Sequence, residues 1–156
     1  MALTWWRPHA VVWGECDPFG LVYYPHMLAW LNDVEHDLWR ALGQPIEAMI
    51  ARDRTTFVMG EVAFRFTGPI RYGEPVMIFL RLDSLGRSTL HWSTRVVHGE
   101  TAAPVCEGTA TRVYARVQED GGLKAAAIGP ELRALLATTP QPPTSLAPTL
   151  AAVLDW

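Results

Sequence analysis

The feature that most constrains the fold is a change of hydrophobic period near the end of the first third of this 156-residue chain. Between Pro25 and Leu42 apolar residues recur at helical spacing, which predicts one long amphipathic helix. Pro25 suits the first turn of a helix, and Gly43 suits the position just after its end. After Pro45 the helical period stops, and a different pattern begins.

Four stretches beyond Pro45 alternate with a period of two, which is typical of strands. They cover residues 58–66, 76–82, 89–96 and 105–117. Short turns rich in glycine separate them, so we expect an antiparallel meander. The apolar face of such a sheet can cover the helix. The predicted fold class is therefore α+β, with an antiparallel sheet wrapped around one long helix.

The two ends of the chain carry weaker patterns. We expect a first strand at His9–Glu15, a short helix at Pro130–Ala137, and a terminal helical turn at Pro148–Trp156 that docks through its apolar residues. Length predicts one domain. We place it at residues 1–138 and treat residues 139–156 as a Pro-rich C-terminal extension.

Composition excludes several function classes. A net charge of −3 provides no basic field for nucleic acid. No apolar run approaches the roughly 20 residues of a membrane-spanning helix, and the first residues do not read as a signal peptide. We therefore expect a cytoplasmic protein in which Cys16 and Cys106 are reduced.

No pattern predicts a cofactor. His36, His91 and His98 lack the close pairing of metal ligands, so we expect no metal. The chain contains no nucleophile elbow of serine hydrolases and no phosphate-binding loop. Cys16 adjoins an acid, but strand alternation would turn these two side chains to opposite faces.

The segment from Trp13 to His26 carries the chemistry. It places Asp17 in a Pro/Gly turn directly ahead of the predicted helix, where unpaired N–H groups stabilise negative charge. Asp17 could simply cap its own turn, a role that composition alone slightly favours. Alternatively, its aromatic neighbours partly remove water and make the carboxylate a stronger base.

A resemblance to a known family favours a catalytic role for Asp17 over a role in capping its own turn. The motif CDPFGLVYYP at residues 16–25, followed by a helix containing WLND at residues 30–33, resembles the 4-hydroxybenzoyl-CoA thioesterase family of hotdog-fold proteins. The resemblance covers roughly residues 8–120. It implies that Asp17 is the catalytic carboxylate, as nucleophile or general base, and that the backbone N–H of Tyr24 holds the oxyanion. One such donor is typically worth about 3 kcal/mol.

The same resemblance implies a substrate, an aromatic acyl-CoA of the hydroxybenzoyl type. The candidate substrate-binding residues are Gly20, Tyr23, His26, Glu61 and Arg87. Seven tryptophans are compatible with a flat aromatic pocket.

The chain departs from the family in its basic residues. Where the resembled enzyme carries a basic cluster for the CoA phosphates, only Arg87 is retained. CoA anchoring could instead use Arg54, Arg112 or Arg116.

Other acids have weaker claims. Glu61 is a minor second candidate for the carboxylate. The helical acids Asp33, Glu35 and Asp37 are expected on a solvated face.

Two alternative functions stay open. One is a thioesterase for short aliphatic acyl-CoA or for acyl carrier protein. The other is a non-catalytic hotdog domain that binds acyl-CoA. In each case an exposed sheet edge predicts a homodimer or homotetramer, with sites at the subunit boundary.

Overall fold

The computed structural model describes residues 2–156, and its sheet and helices follow the predicted α+β plan. The six strands are β1 (Thr4–Ala10), β2 (Thr55–Phe66), β3 (Pro75–Leu85), β4 (Thr89–His98), β5 (Pro104–Val117) and β6 (Leu123–Ala125). The α-helices are α1 (Tyr24–Ala41), α2 (Ile46–Asp53), α3 (Pro130–Leu136) and α4 (Pro148–Ala151), with short 3₁₀ helices at Trp13–Glu15 and Ala152–Leu154. Among residues 2–156, no helix has both the length and the apolar character needed to cross a bilayer.

The sheet is antiparallel, and its strand order is β1-β3-β4-β5-β2, with β6 paired to the end of β5. The predicted meander is correct for β3, β4 and β5 but wrong for β2, which pairs with β5. The connection Thr67–Glu74 explains the difference, because it is longer than a hairpin turn of about two to five residues. It takes the chain past the meander and leaves β2 as an edge strand.

The long helix is confirmed as α1, within one residue of its predicted ends. The predicted bounds of the first strand, His9–Glu15, are wrong. Strand β1 ends at Ala10, and Trp13–Glu15 forms a 3₁₀ helix because the Glu15 side chain accepts the Val12 N–H at 3.0 Å and closes this turn. Helix α2 was not predicted. It is short, and Arg54 ends it in the left-handed conformation at φ 54°.

The core lies between α1 and the inner face of the sheet. It holds an ion pair, since Glu35 on α1 is 2% exposed and Arg112 on β5 is 8% exposed. Arg112 Nη2 lies 2.8 Å from Glu35 Oε2, and Arg112 also donates to Asn32. The prediction of a solvated Glu35 is therefore wrong, because its partner comes from a distant strand that the helical pattern does not show.

The predicted docking of a terminal helical turn at Pro148–Trp156 is confirmed, and this segment covers part of the outer face of the sheet. Leu150 is buried there in a second apolar cluster with Met77, Phe79 and Val97. The Trp156 ring lies 4.6 Å from the guanidinium carbon of Arg81, a cation–π contact that ties the segment to β3.

Candidate active site

The loop that carries the motif joins the first 3₁₀ helix to α1, and backbone hydrogen bonds fix its shape. The N–H of Asp17 donates to the carbonyl of Leu21 at 2.7 Å, and Val22 donates to Ile70 at 3.0 Å. Gly20 closes the turn with φ +76°, which a glycine adopts without strain. The loop is thus a defined turn whose two ends meet.

The two oxygens of the half-buried Asp17 carboxylate do different things. Oδ1 accepts the N–H of Phe19 at 2.8 Å and the N–H of Leu21 at 3.1 Å. Oδ2 has no hydrogen-bond partner among residues 2–156. The capping role considered from the sequence is therefore real, but it occupies only one oxygen and leaves the other open to a ligand or water.

Helix α1 begins at Tyr24, and the backbone N–H of this residue is an open donor. Pro25 follows and has no N–H, while the His26 N–H donates to the Tyr23 carbonyl at 3.0 Å. The N–H of Tyr24 has no acceptor among the described residues, and no side chain caps the helix. Because the helix dipole is positive at this end, an open N–H here attracts developing negative charge.

Aromatic rings surround the helix start. Tyr24 contacts Phe66, the last residue of β2, with ring centroids 6.0 Å apart, and Tyr23 packs against Tyr24 at 5.3 Å. Phe19 is 82% exposed and Phe66 is 50% exposed. The end of the edge strand and the motif therefore form one apolar surface that is open to solvent in a single chain.

The structure brings together three of the five predicted substrate-binding residues. Gly20 and Tyr23 belong to the loop, and the ring of His26 lies 6.3 Å from that of Tyr23. Glu61 is exposed on β2, beside the bulge at Gly60 and about 17 Å along the strand from Phe66.

Arg87 lies apart from the motif within one chain. Its turn is level with Val58, because Thr89 pairs with Val113 and Val113 pairs with Val58. Val58 and Phe66 are separated by about 25 Å of strand. Arg87 can therefore reach only a ligand that extends far from the helix start.

The alternative basic residues differ in availability. The prediction that Arg112 could anchor the CoA phosphates is wrong, because its guanidinium is buried against Glu35. Arg54 donates to two backbone carbonyls, those of Val117 and Gln118. Arg116 is exposed and donates to the Asp53 carbonyl at 3.2 Å, so most of its donors face solvent.

Sequence reasoning missed a polar cluster directly before the motif. Glu15 accepts Trp30 Nε1 at 2.8 Å and His9 Nε2 at 2.9 Å. Burial disfavours the ionised carboxylate, yet hydrogen bonds from His9, Trp30 and the Val12 amide outweigh it and hold the pKa of Glu15 below its ordinary value. Because Val12 has no polar side chain, the Val-x-x-Glu spacing lacks the serine or threonine of a capping box, and no local pattern in the sequence indicates this turn.

The two thiols are both free of disulfides. Burial raises the pKa of Cys106 to about 12, so this thiol is inert. Cys16 lies outside any strand, so the alternation used to separate it from Asp17 does not apply, and its Sγ instead lies 3.7 Å from the Val12 carbonyl. Among residues 2–156, no three acidic, histidine or cysteine side chains are grouped to hold a metal ion.

Solved structures share this architecture. A 1,4-dihydroxy-2-naphthoyl-CoA thioesterase from Synechocystis superposes with a TM-score of 0.78 at 14% identity, over 85% of this chain and 95% of that one. The 4-hydroxybenzoyl-CoA thioesterase of Pseudomonas sp. strain CBS-3 gives 0.74 at 20% identity, over 86% and 99%. The dynemicin thioesterase gives 0.76 at 22% identity, over 86% and 95%.

These likenesses show that the fold is the hotdog fold, with the sheet wrapped around α1 as predicted. The model of the thioesterase-like superfamily matches residues 11–142, which include the motif loop, α1 and strands β2 to β6. The chain is by this relationship a thioester hydrolase. It belongs to the thioesterase-like superfamily.

Proposed function

We propose that this protein hydrolyses an aromatic acyl-CoA thioester of the hydroxybenzoyl type to the free acid and CoA. Asp17 supplies the carboxylate, and the N–H of Tyr24 stabilises the oxyanion. The observation that supports the proposal is that one short segment of the chain holds both an Asp17 Oδ2 without a hydrogen-bond partner and, at the start of α1, a Tyr24 N–H without an acceptor among residues 2–156.

The chemistry needs no other protein group to begin. When the thioester carbonyl oxygen accepts the Tyr24 N–H, the carbonyl carbon becomes more electrophilic. Asp17 Oδ2 then either takes a proton from the attacking water or attacks the carbon to form a mixed anhydride, which water hydrolyses. Both routes expel the CoA thiolate and pass through an oxyanion that the Tyr24 donor holds.

The aromatic acyl group is supported by the surface beside the site. Tyr23, Tyr24 and Phe66 provide flat apolar contacts next to the two open groups. Several similar structures are named for aromatic thioesters, among them a gentisyl-CoA thioesterase that superposes at 20% identity. We place the reaction in the cytoplasm, in agreement with two unpaired cysteines.

Residues 139–156 are, in this proposal, an extension of a hotdog domain that covers residues 1–138. The superfamily match ends at residue 142, close to this boundary. The extension contributes to packing on the outer face of the sheet, through Leu150 and Trp156. It contributes no group to the chemistry.

We further propose a homodimer formed through β2, with the sites at the boundary and a tetramer as a further assembly of such dimers. β2 is an edge strand, and it exposes apolar side chains at Met59, Val62 and Phe66. An unpaired edge of this kind is stabilised by a second copy. The partner would cover the open side of the helix start, because Phe66 contacts Tyr24.

Light scattering coupled to size-exclusion chromatography tests the assembly. A mass of twice or four times 17.4 kDa is expected at micromolar concentration. Val62→Arg would place a charge on the exposed edge and should shift the mass toward the monomer with loss of activity. A native chain that elutes as a monomer would contradict the proposed boundary site.

A substrate panel tests the acyl group. Benzoyl-, 4-hydroxybenzoyl-, phenylacetyl-, short aliphatic and long aliphatic CoA thioesters are compared by kcat/KM, together with an acyl carrier protein thioester. We expect the aromatic CoA thioesters to lead. A faster aliphatic or carrier-bound substrate would favour the alternative thioesterase activities, and tight acyl-CoA binding without turnover would favour the non-catalytic domain.

A further inference from the structure

We infer that Glu15 is a positioning residue of this site: its carboxylate fixes the turn before Asp17 while its backbone carbonyl fixes the start of α1. This inference deepens the proposed function and rests on it. The Glu15 carboxylate is hydrogen-bonded within a polar cluster formed by His9, Val12 and Trp30.

The carboxylate of Glu15 ties together three separate parts of the chain. Oε1 accepts Trp30 Nε1 on α1 at 2.8 Å, and Oε2 accepts the Val12 N–H at 3.0 Å. His9 Nε2 on β1 lies 2.9 Å from both oxygens. Because an ionised carboxylate only accepts, His9 must donate here, so the carboxylate satisfies three donors at once.

The cluster is compact and largely shielded from water. The side chain of Glu15 is 14% exposed, and the rings of His9 and Trp30 lie 5.0 Å apart. Hydrogen bonds to a shielded carboxylate are stronger than those at the surface. The turn before the motif is therefore held by a rigid anchor.

The main chain of Glu15 connects this anchor to the reacting groups. Its carbonyl accepts the N–H of Tyr23 at 2.8 Å, and Tyr23 directly precedes the open N–H of Tyr24. In the other direction, Asp17 follows Glu15 by two residues. A shift of Glu15 thus moves the carboxylate and the oxyanion donor relative to each other, and misplacement by about 1 Å can cost on the order of 10²-fold in rate.

Glu15→Gln tests the anchor with little change in shape. The amide has one acceptor oxygen, so its NH₂ group must face either Trp30 Nε1–H or the Val12 N–H, which are both donors. His9→Phe is the second variant. It keeps a ring against Trp30, removes one donor, and alters a side chain that is more exposed than that of Glu15, at 21% against 14%. We therefore expect it to fold even if Glu15→Gln does not.

Asp37→Asn is the matched control. Asp37 on α1 also joins that helix to β1 through a carboxylate, since it accepts Arg7 at 3.1 Å. It makes no contact with the motif loop. If Glu15 acted only by holding β1 to α1, the two carboxylate variants would behave alike.

Steady-state kinetics on the leading thioester and amide hydrogen exchange of residues 18–24 are measured on the same proteins. We expect Glu15→Gln and His9→Phe to lower kcat about 10-fold or more, with KM within about two-fold, and to speed exchange at Tyr23. Asp37→Asn should leave kcat, KM and exchange in this segment unchanged.

Asp17→Asn separates the two levels of the argument. An inactive Asp17→Asn beside native kcat and native exchange in Glu15→Gln and His9→Phe would overturn the positioning role alone. The same would hold if Asp37→Asn lost kcat as much as they do. A native rate in Asp17→Asn would instead overturn the proposed carboxylate, while faster exchange at Tyr23 would still support the anchor.

Discussion

Asp17→Asn is expected to lower kcat at least ~10²-fold on the leading thioester, the scale of losing a positioned acid–base group. In the structure this substitution changes only one of the two carboxylate oxygens in its function. The asparagine carbonyl can replace Oδ1 and still accept the N–H groups of Phe19 and Leu21. Only Oδ2 changes, from an open carboxylate oxygen into an amide NH₂ that neither attacks a carbonyl nor takes a proton.

The control for this prediction is stability. Because the turn keeps its two hydrogen bonds, the Tm of Asp17→Asn should stay within a few degrees of the native value. Asp17→Ala removes both oxygens and should lose stability as well as rate, by about 1 kcal/mol for a lost capping group. Near-native turnover in the asparagine variant would remove Asp17 from the catalytic role.

Arg112→Met is expected to lower the free energy of unfolding by about 3–5 kcal/mol, the largest loss of stability anticipated from a single substitution discussed for this chain. The methionine fills much of the space but leaves the Glu35 carboxylate buried without its charged partner. The Glu35 carboxylate would then keep one hydrogen-bond donor, Trp39 Nε1 at 3.4 Å. Thermal unfolding should shift down by about 10 °C for a domain of this size.

Two further variants decide whether the buried charge is the cause. Glu35→Leu combined with Arg112→Met removes both charges and should recover most of the stability, because replacing a whole buried pair with apolar residues is often neutral. Arg116→Met alters an exposed arginine on the same strand and should change little. An equal loss in the single and double variants would show that packing, and not the ion pair, explains the effect.

The elements with long, regular periods were predictable. Helix α1 has many apolar positions at helical spacing, and β2 to β5 alternate over enough residues to exclude a helix. Short elements were not. α2 spans only Ile46–Asp53, and the residues from His9 to Glu15 alternate although hydrogen bonds between Val12 and Glu15 shape part of them into a 3₁₀ turn.

Contacts between distant parts of the chain were beyond the sequence. The pairing of β2 with β5 is decided by the path of residues 67–74, which no local pattern encodes. Arg112 and Glu35 lie 77 residues apart, so neither periodicity nor charge spacing on α1 could reveal their contact. Local patterns predict elements, whereas the register and partners depend on the whole core.

In the candidate site, too, the sequence indicated the residues, whereas their contacts required the structure. The motif and its resemblance singled out Asp17 and Tyr24, and the structure places both beside one turn with an open oxygen and an open N–H. The division of labour between Oδ1 and Oδ2 depends on backbone geometry, and so does the anchoring of Glu15 by His9 and Trp30. These features became visible only with coordinates.

The most direct test of the central claim is the release of free CoA thiol from 4-hydroxybenzoyl-CoA by the native chain, followed over many turnovers. The account predicts linear release well beyond one CoA per chain, with the free acid formed in equal amount. Asp17→Asn, at the same concentration, should release CoA at least ~10²-fold more slowly. No thiol release from this substrate or from any other thioester of the panel would contradict the account.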